Sequence, residues 1–269
     1  MNSSVPGPGE AAPTAVPGVP GFPGGTAVSH LHVYDWPAAD GLAGGSPHLH
    51  TASAEGYVVV RGRGTLETLS SAGFTETPLG LGTLLWFTPG TVHRLVNGSG
   101  DLELLVVMQN AGLPENGDAV LTYPPDVLAD PEAYARATAI PAWADFPDAA
   151  SAHAAMSKAA RERRDLAIDG YLRLRERVAA EGGGALADLY EAAIGLVRDK
   201  AAGWHHHWER GPHGQAEATG RHIAELASGR GRHLHESALY TADSPSRPWR
   251  TGMCGMLQVW DLDGAHPIG

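Results

Sequence analysis

Between residues 27 and 112 apolar side chains recur at every second position in short runs, and each run is cut off by glycine or proline. VSHLHVYDW (28–36), HLH (48–50), the segment from Glu55 to Arg61, TLETL (65–69), VHRLVN (92–97) and LELLVVMQ (102–109) all read as strands. LLWF (84–87) is a continuous apolar run, the pattern of a short buried strand, whereas Gly73 to Gly82 reads as a loop. Gly62-Arg63-Gly64, Thr88-Pro89-Gly90 and Gly98-Ser99-Gly100 supply tight turns. Short strands at this spacing predict an antiparallel sandwich or barrel.

The period changes further along. Residues 113–150 are rich in proline and aspartate and read as a connecting segment with single helical turns at DVLAD, PEAYARA and PAWADF. From about residue 150 to Gly182 the spacing becomes helical, with Arg164, Ala167, Tyr171, Leu174 and Val178 on one stripe. Gly182-Gly183-Gly184 breaks it, and a second stripe follows through Leu186, Leu189, Tyr190, Ala193, Leu196 and Val197. A third helix is expected over Ala216–Ala227, then two strands in HLHESALYTA (233–242) and MLQVWDL (256–262). Residues 1–25 are nearly half proline and glycine and are expected to be a disordered tail. The fold class predicted is therefore mainly β: a barrel over 26–112, a connection over 113–150, and a helical extension with terminal strands over 151–269.

Charge and composition narrow the function. With 19 Lys+Arg against 30 Asp+Glu the net charge is -11, which argues against nucleic acid and anionic membrane as partners. No run of ~18 apolar residues is present for a membrane span, and the N-terminus lacks a secretory pattern. The single cysteine, Cys254, excludes an internal disulfide framework and fits a reducing compartment, so a cytoplasmic location is expected.

The chemistry concentrates in GSPHLHTASAEGYVVVRG, residues 45–62. His48 and His50 alternate with Leu49, so a strand presents both imidazoles on one face. Glu55 is an odd number of residues from His50 and would face the other way on one continuous strand. Convergence therefore requires a bend in the small residues Thr51 to Ala54, and His93 must arrive on a strand adjacent in space. Three imidazoles and a carboxylate without thiolate suit a divalent transition metal, Fe, Mn, Zn, Ni or Cu, and leave open positions for a substrate oxygen, water or dioxygen.

These residues resemble the two motifs of the cupin superfamily. The first, G-x5-H-x-H-x(3,4)-E-x6-G, is met at His48, His50, Glu55 and Gly62, with its opening glycine displaced to Gly41. The second, G-x5-P-x-G-x2-H-x3-N, is met at Gly82, Gly90, His93 and Asn97, with its proline one place late at Pro89. The resemblance, closest to small single-barrel cupins of the type-2 kind, implies a double-stranded β-helix barrel with His48, His50, Glu55 and His93 as metal ligands in its mouth. It also implies a homodimer.

Other residues extend the picture. Tyr57 shares the parity of Glu55 and is the candidate donor or acid/base group in the pocket. Arg61, at the end of the same row, is expected to be solvated. His30 and His32 repeat the H-x-H pattern with no partnered glutamate in sequence and are expected not to be ligands. The histidines from His205 to His235 carry no carboxylate at motif spacing, and consecutive His205, His206 and His207 fan out on a helix, so at most an adventitious surface site is expected. In KAARERRDLAIDGYLRLRER (158–177) basic and acidic residues interleave, giving i,i+4 pairs such as Arg161–Asp165 and Asp169–Arg173 on a solvated helix face. Two functions are in play: a metal-dependent enzyme that oxygenates, isomerises or decarboxylates a small organic molecule, and a non-enzymatic module that binds or senses one.

Overall fold

The computed structural model describes residues 21–109, 112–243, 249–262 and 264–268. In chain order its strands begin with β1 (Ala27–Val33), β2 (His48–His50), β3 (Glu55–Arg61), β4 (Arg63–Ser70) and β5 (Gly73–Gly80). They continue with β6 (Leu84–Phe87), β7 (Val92–Asn97), β8 (Glu103–Met108) and β9 (Ala119–Leu121). Five helices follow, α1 (Pro125–Leu128), α2 (Pro131–Thr138), α3 (Ala149–Glu181), α4 (Ala187–Trp208) and α5 (Gly214–Ala227). The chain closes with β10 (Leu239–Thr241), β11 (Arg250–Thr251), β12 (Gly255–Val259) and β13 (His266–Ile268).

Two antiparallel sheets face each other, one ordered β5-β4-β7-β2-β9 and the other β11-β12-β1-β8-β3-β6, while β10 and β13 pair separately. Alternation puts Leu66 and Leu95 of the first sheet against Leu31, Val33, Tyr57, Val59 and Leu104 of the second, which makes the barrel interior. The opposite face of the five-stranded sheet is also buried. Leu49, Leu69 and Val92 pack there against Ala167, Tyr171 and Leu174 of α3 and Leu189 and Val197 of α4. The result is three layers: sheet, sheet, helices.

Helix α3 starts where Asp148 accepts a hydrogen bond from Ser151 N at 2.8 Å, and it stops at Gly182, whose φ of 78° lies in the left-handed region. All five residues of its expected stripe are buried. Gly170 lets the helix lie against the backbone at Thr122 and Tyr123, where any Cβ would overlap the Thr122 carbonyl oxygen. Thr122 Oγ1 donates to Ala167 O at 3.0 Å or to Pro47 O at 3.1 Å, which ties the helix to the residue before His48.

Several expectations change. Gly73–Gly80 is a strand, paired with β4 from Arg63↔Gly80 to Ser70↔Gly73. It was unreadable because an edge strand tolerates Pro78 and mostly polar, exposed side chains. LLWF is a strand but not a buried one: β6 is the sheet edge, Leu84 and Trp86 are 65% and 73% exposed, and only Leu85 and Phe87 turn inward. The barrel does not end at residue 112, because β9 pairs with β2 and β12 pairs with β1. His233 and His235 lie in a 3-10 turn, Arg232–Glu236, rather than on a strand.

The proline-rich tail lies outside the described residues up to residue 20. Its end is ordered: Pro23–Gly25 form a 3-10 turn, with Gly25 buried against Pro212. The basic run is only partly a solvated face. Asp169 and Arg173 pair at 2.8 Å, but Arg161 stacks on Trp36 and Arg164 is buried, donating to Trp36 O at 2.7 Å and Pro37 O at 2.9 Å. No helix among the described residues is long and apolar enough to cross a membrane.

Candidate metal centre

The interior holds one polar cluster at the end of the apolar core. His48, His50 and His93 come from the five-stranded sheet, where His48 and His93 stand directly opposite each other on β2 and β7. Glu55 comes from the facing sheet, as the first residue of β3. The Thr51–Ala54 segment crosses between the sheets, which resolves the parity mismatch between His50 and Glu55. One donor atom from each of the four residues lies within 4.8 Å of the others, and all four side chains are buried.

The ring orientations are held from behind. His48 Nδ1 lies 2.9 Å from Ser46 O, His93 Nδ1 lies 3.2 Å from Thr91 O, and His50 Nδ1 lies 3.2 Å from Asp118 Oδ2. Carbonyls and carboxylates only accept, so each Nδ1 carries the hydrogen and donates it. In each neutral ring Nε2 therefore turns a lone pair toward the cluster, the arrangement that outer partners impose on metal-ligating histidines.

Without a cation this cluster is short of protons. His50 Nε2 and His93 Nε2 lie 3.2 Å and 3.1 Å from the same oxygen, Glu55 Oε2, and neither that oxygen nor His93 Nε2 has a hydrogen-bond partner. Acceptors facing each other in a buried site are costly, and a divalent ion removes the conflict. The spacing also fits: with metal–ligand bonds of about 2.1 Å, neighbouring ligand atoms at right angles are about 3.0 Å apart. Burial, reinforced by His93 and His50, holds His48 well below its ordinary value and so keeps it neutral. Burial acts to raise the Glu55 carboxyl, but the imidazoles of His93 and His50 outweigh it and keep Glu55 ionised, well below the usual carboxylate range. Burial likewise opposes charge on His50, but Asp118 and Glu55 push it up to about 9.

Tyr57 points inward and is fully buried, its ring edge-on to Phe87 at 5.5 Å, and its hydroxyl has no partner. Burial, then the Glu55 charge, raises the phenol well above 10, so Tyr57 is a proton donor at neutral pH and not a base. Asn97, the last residue of the second motif, is structural: its Oδ1 accepts from Gly100 N at 2.8 Å and Leu102 N at 3.2 Å, closing the turn into β8. Arg61 is 63% exposed and pairs with Asp101 and Glu103. Among the described residues, the histidines of 205–235 form no group of three metal donors.

Two features escaped the sequence. Asp118, wholly buried ahead of β9, accepts from Thr51 N at 2.9 Å, Ala52 N at 2.7 Å and Ser53 N at 3.2 Å as well as from His50. It therefore holds both the crossing segment and a candidate ligand. An aspartate in an irregular stretch carries no periodic signal, and its distance in sequence from His50 hid the contact. The other is a carboxylate beside His30 and His32: Glu103, from the neighbouring strand β8.

Residues 39–108 match the family model of the cupin domain, so the chain carries a cupin domain. No curated protein matches the chain. Among solved structures it is similar to an uncharacterized conserved protein with a double-stranded β-helix domain from Klebsiella pneumoniae, at 19% identity over 35% of this chain and 70% of that one, TM-score 0.26. Pac13, a nucleoside dehydratase from Streptomyces, matches at 20% identity over 35% of this chain and 66% of its own, TM-score 0.27. The oxalate decarboxylase of Bacillus subtilis matches at 23% identity over 31% of this chain and 23% of its own, TM-score 0.28.

Proposed function

We propose that His48, His50, Glu55 and His93 hold a divalent transition metal, and that the protein is a metal-dependent enzyme acting on a small organic molecule. The observation that carries this reading is the convergence of His50 Nε2 and His93 Nε2 on Glu55 Oε2, with a His48 donor atom within 4.8 Å of the others and every Nδ1 hydrogen donated to an outer acceptor. When bound, the metal supplies Lewis acidity toward a substrate oxygen or a site for dioxygen, which suits oxygenation, isomerisation or decarboxylation. Tyr57 then serves as the donor, holding its proton toward a substrate oxygen. Phe87, 4.4 Å from the His93 ring, and the apolar Val106 and Met108 of the same interior keep bulk water away. Fe, Mn, Zn, Ni and Cu all suit the ligand set, and availability selects among them.

A second reading, a binding or sensing module, draws support from the exposed Ile223 and Leu226 of α5, an apolar face free to meet a partner. A homodimer belongs to the proposal too, supported by the exposed edge strand carrying Leu84 and Trp86; Trp86→Glu should convert dimer to monomer by light scattering. The buried lone thiol of Cys254 supports a cytoplasmic home, and the net charge of -11 supports partners other than nucleic acid.

Metal analysis of protein purified without chelator tests the central claim. The wild type should carry stoichiometric metal, and His48→Ala and Glu55→Ala should each lose one equivalent. Metal content unchanged in both variants overturns the assignment.

A further inference from the structure

We propose that His30, His32 and Glu103 form a second metal site, on the outer face of the six-stranded sheet, for a divalent transition ion such as Zn2+. Strand alternation sends Leu31 and Val33 into the barrel and His30 and His32 to the opposite face. On the paired strand Leu104 points inward, so Glu103, directly across from His32, points outward beside them. His30 Nε2 lies 2.9 Å and His32 Nε2 lies 3.3 Å from one oxygen, Glu103 Oε2. The three donor atoms lie within 4.8 Å of one another.

Four further observations favour a cation over a simple ion pair. His32 Nε2 is buried without a hydrogen-bond partner. Arg61 contacts the other carboxylate oxygen, Oε1, at 3.3 Å and leaves Oε2 to the two rings. A cleft of about 200 Å³ lined by His32, Asp35, Asp101 and Glu103 opens beside the group and offers an acidic approach. Trp249 packs its ring 4.2 Å from His32 and 5.9 Å from His30, a dry wall on one side. Two imidazoles and one carboxylate leave open positions and match Zn2+, Ni2+ or Cu2+. Such an ion would clamp β1 to β8 and hold Trp249, the residue before β11, against them.

Calorimetric titration of the chelator-stripped full chain with Zn2+ tests this. In a His48→Ala/Glu55→Ala background, which disables the interior centre, one equivalent should still bind, and His32→Gln or Glu103→Gln should weaken it at least about 10-fold. In otherwise wild-type protein the same two substitutions should remove one equivalent, which keeps the test valid if the double variant fails to fold. Ni2+ should quench indole fluorescence, and Trp249→Phe should abolish that quenching. Zn2+ uptake indifferent to both His32→Gln and Glu103→Gln overturns the site, whether that uptake is nil or resides elsewhere on the surface. If the interior centre binds nothing, the wild type still holds the single equivalent that His32→Gln removes, so the two assignments fail separately.

Discussion

The Asp118 carboxylate lies 3.2 Å from His50 Nδ1, although the two residues are far apart in sequence. With its other contacts it caps three consecutive backbone amides of the crossing segment. One buried anion therefore sets both the tautomer of His50 and the path that brings Glu55 round to meet it.

Asp118→Asn should weaken metal binding by about 10–100-fold, the usual effect of losing an outer partner of a histidine ligand. Competition against a chromophoric chelator reads this directly. Unchanged affinity would mean that the His50 ring is oriented by packing alone.

Gly170→Val should destabilise the fold by about 1–3 kcal/mol, because a side chain there must displace the Thr122 backbone. Thermal melting should fall by roughly 2–4 °C per kcal/mol. Because Thr122 also bonds Pro47 O, the same variant should loosen metal at His48, whereas a fully metallated variant with a lowered melting point would uncouple the two.

Asp40 pairs with the buried Arg94 at 2.6 Å, and Arg94 also lies 3.6 Å from Glu67. Burial acts to raise the Asp40 carboxyl, but the bond to Arg94 outweighs it and holds the group below its ordinary value. A depressed folded-state value contributes stability above the unfolded value, about 4, that is lost as pH falls through the folded one. Asp40→Asn should therefore cost about 1–3 kcal/mol at pH 7, less than for a fully buried pair, with the two proteins converging below about pH 4. Urea denaturation across pH 3–7 checks it; a constant difference would mean that charge is not the cause.

Tyr57→Phe removes a buried hydroxyl that has no protein partner, so the cost should stay below about 1 kcal/mol. Chemical denaturation measures this. A loss of several kcal/mol would mean that the hydroxyl is satisfied inside the protein and not reserved for a ligand.

The strands of the candidate centre were legible because spacing carries their chemistry. His48, His50, Glu55 and His93 stand at motif distances, and the parity mismatch at Glu55 requires a bend over residues 51–54, which the structure supplies as a crossing between the sheets. The stripe from Arg164 to Val178 was equally clear in position, since helical period survives whatever covers it. What covers it was not: the same spacing describes a helix packed on a barrel or on a partner. Glu103 was missed as a neighbour of His30 and His32 because cross-strand proximity depends on the order β1-β8-β3, which no local pattern encodes. Residues 73–80 failed for the opposite reason, since an edge strand needs little apolar alternation to pair.

The cupin-domain match stops at residue 108, but the folded unit does not. Strand β9 completes the sheet edge beside β2, and Tyr190 of α4 donates from its hydroxyl to Gly90 O at 3.0 Å, at the turn before His93. A fragment excised at the family boundary would leave Asp118 behind and strip the cover from Leu49, Leu69 and Val92, roughly 1.5–3 kcal/mol of burial for each. Whoever expresses the barrel alone should therefore expect an insoluble product, and a sequence scan that trims hits to the domain would discard the residue that orients His50.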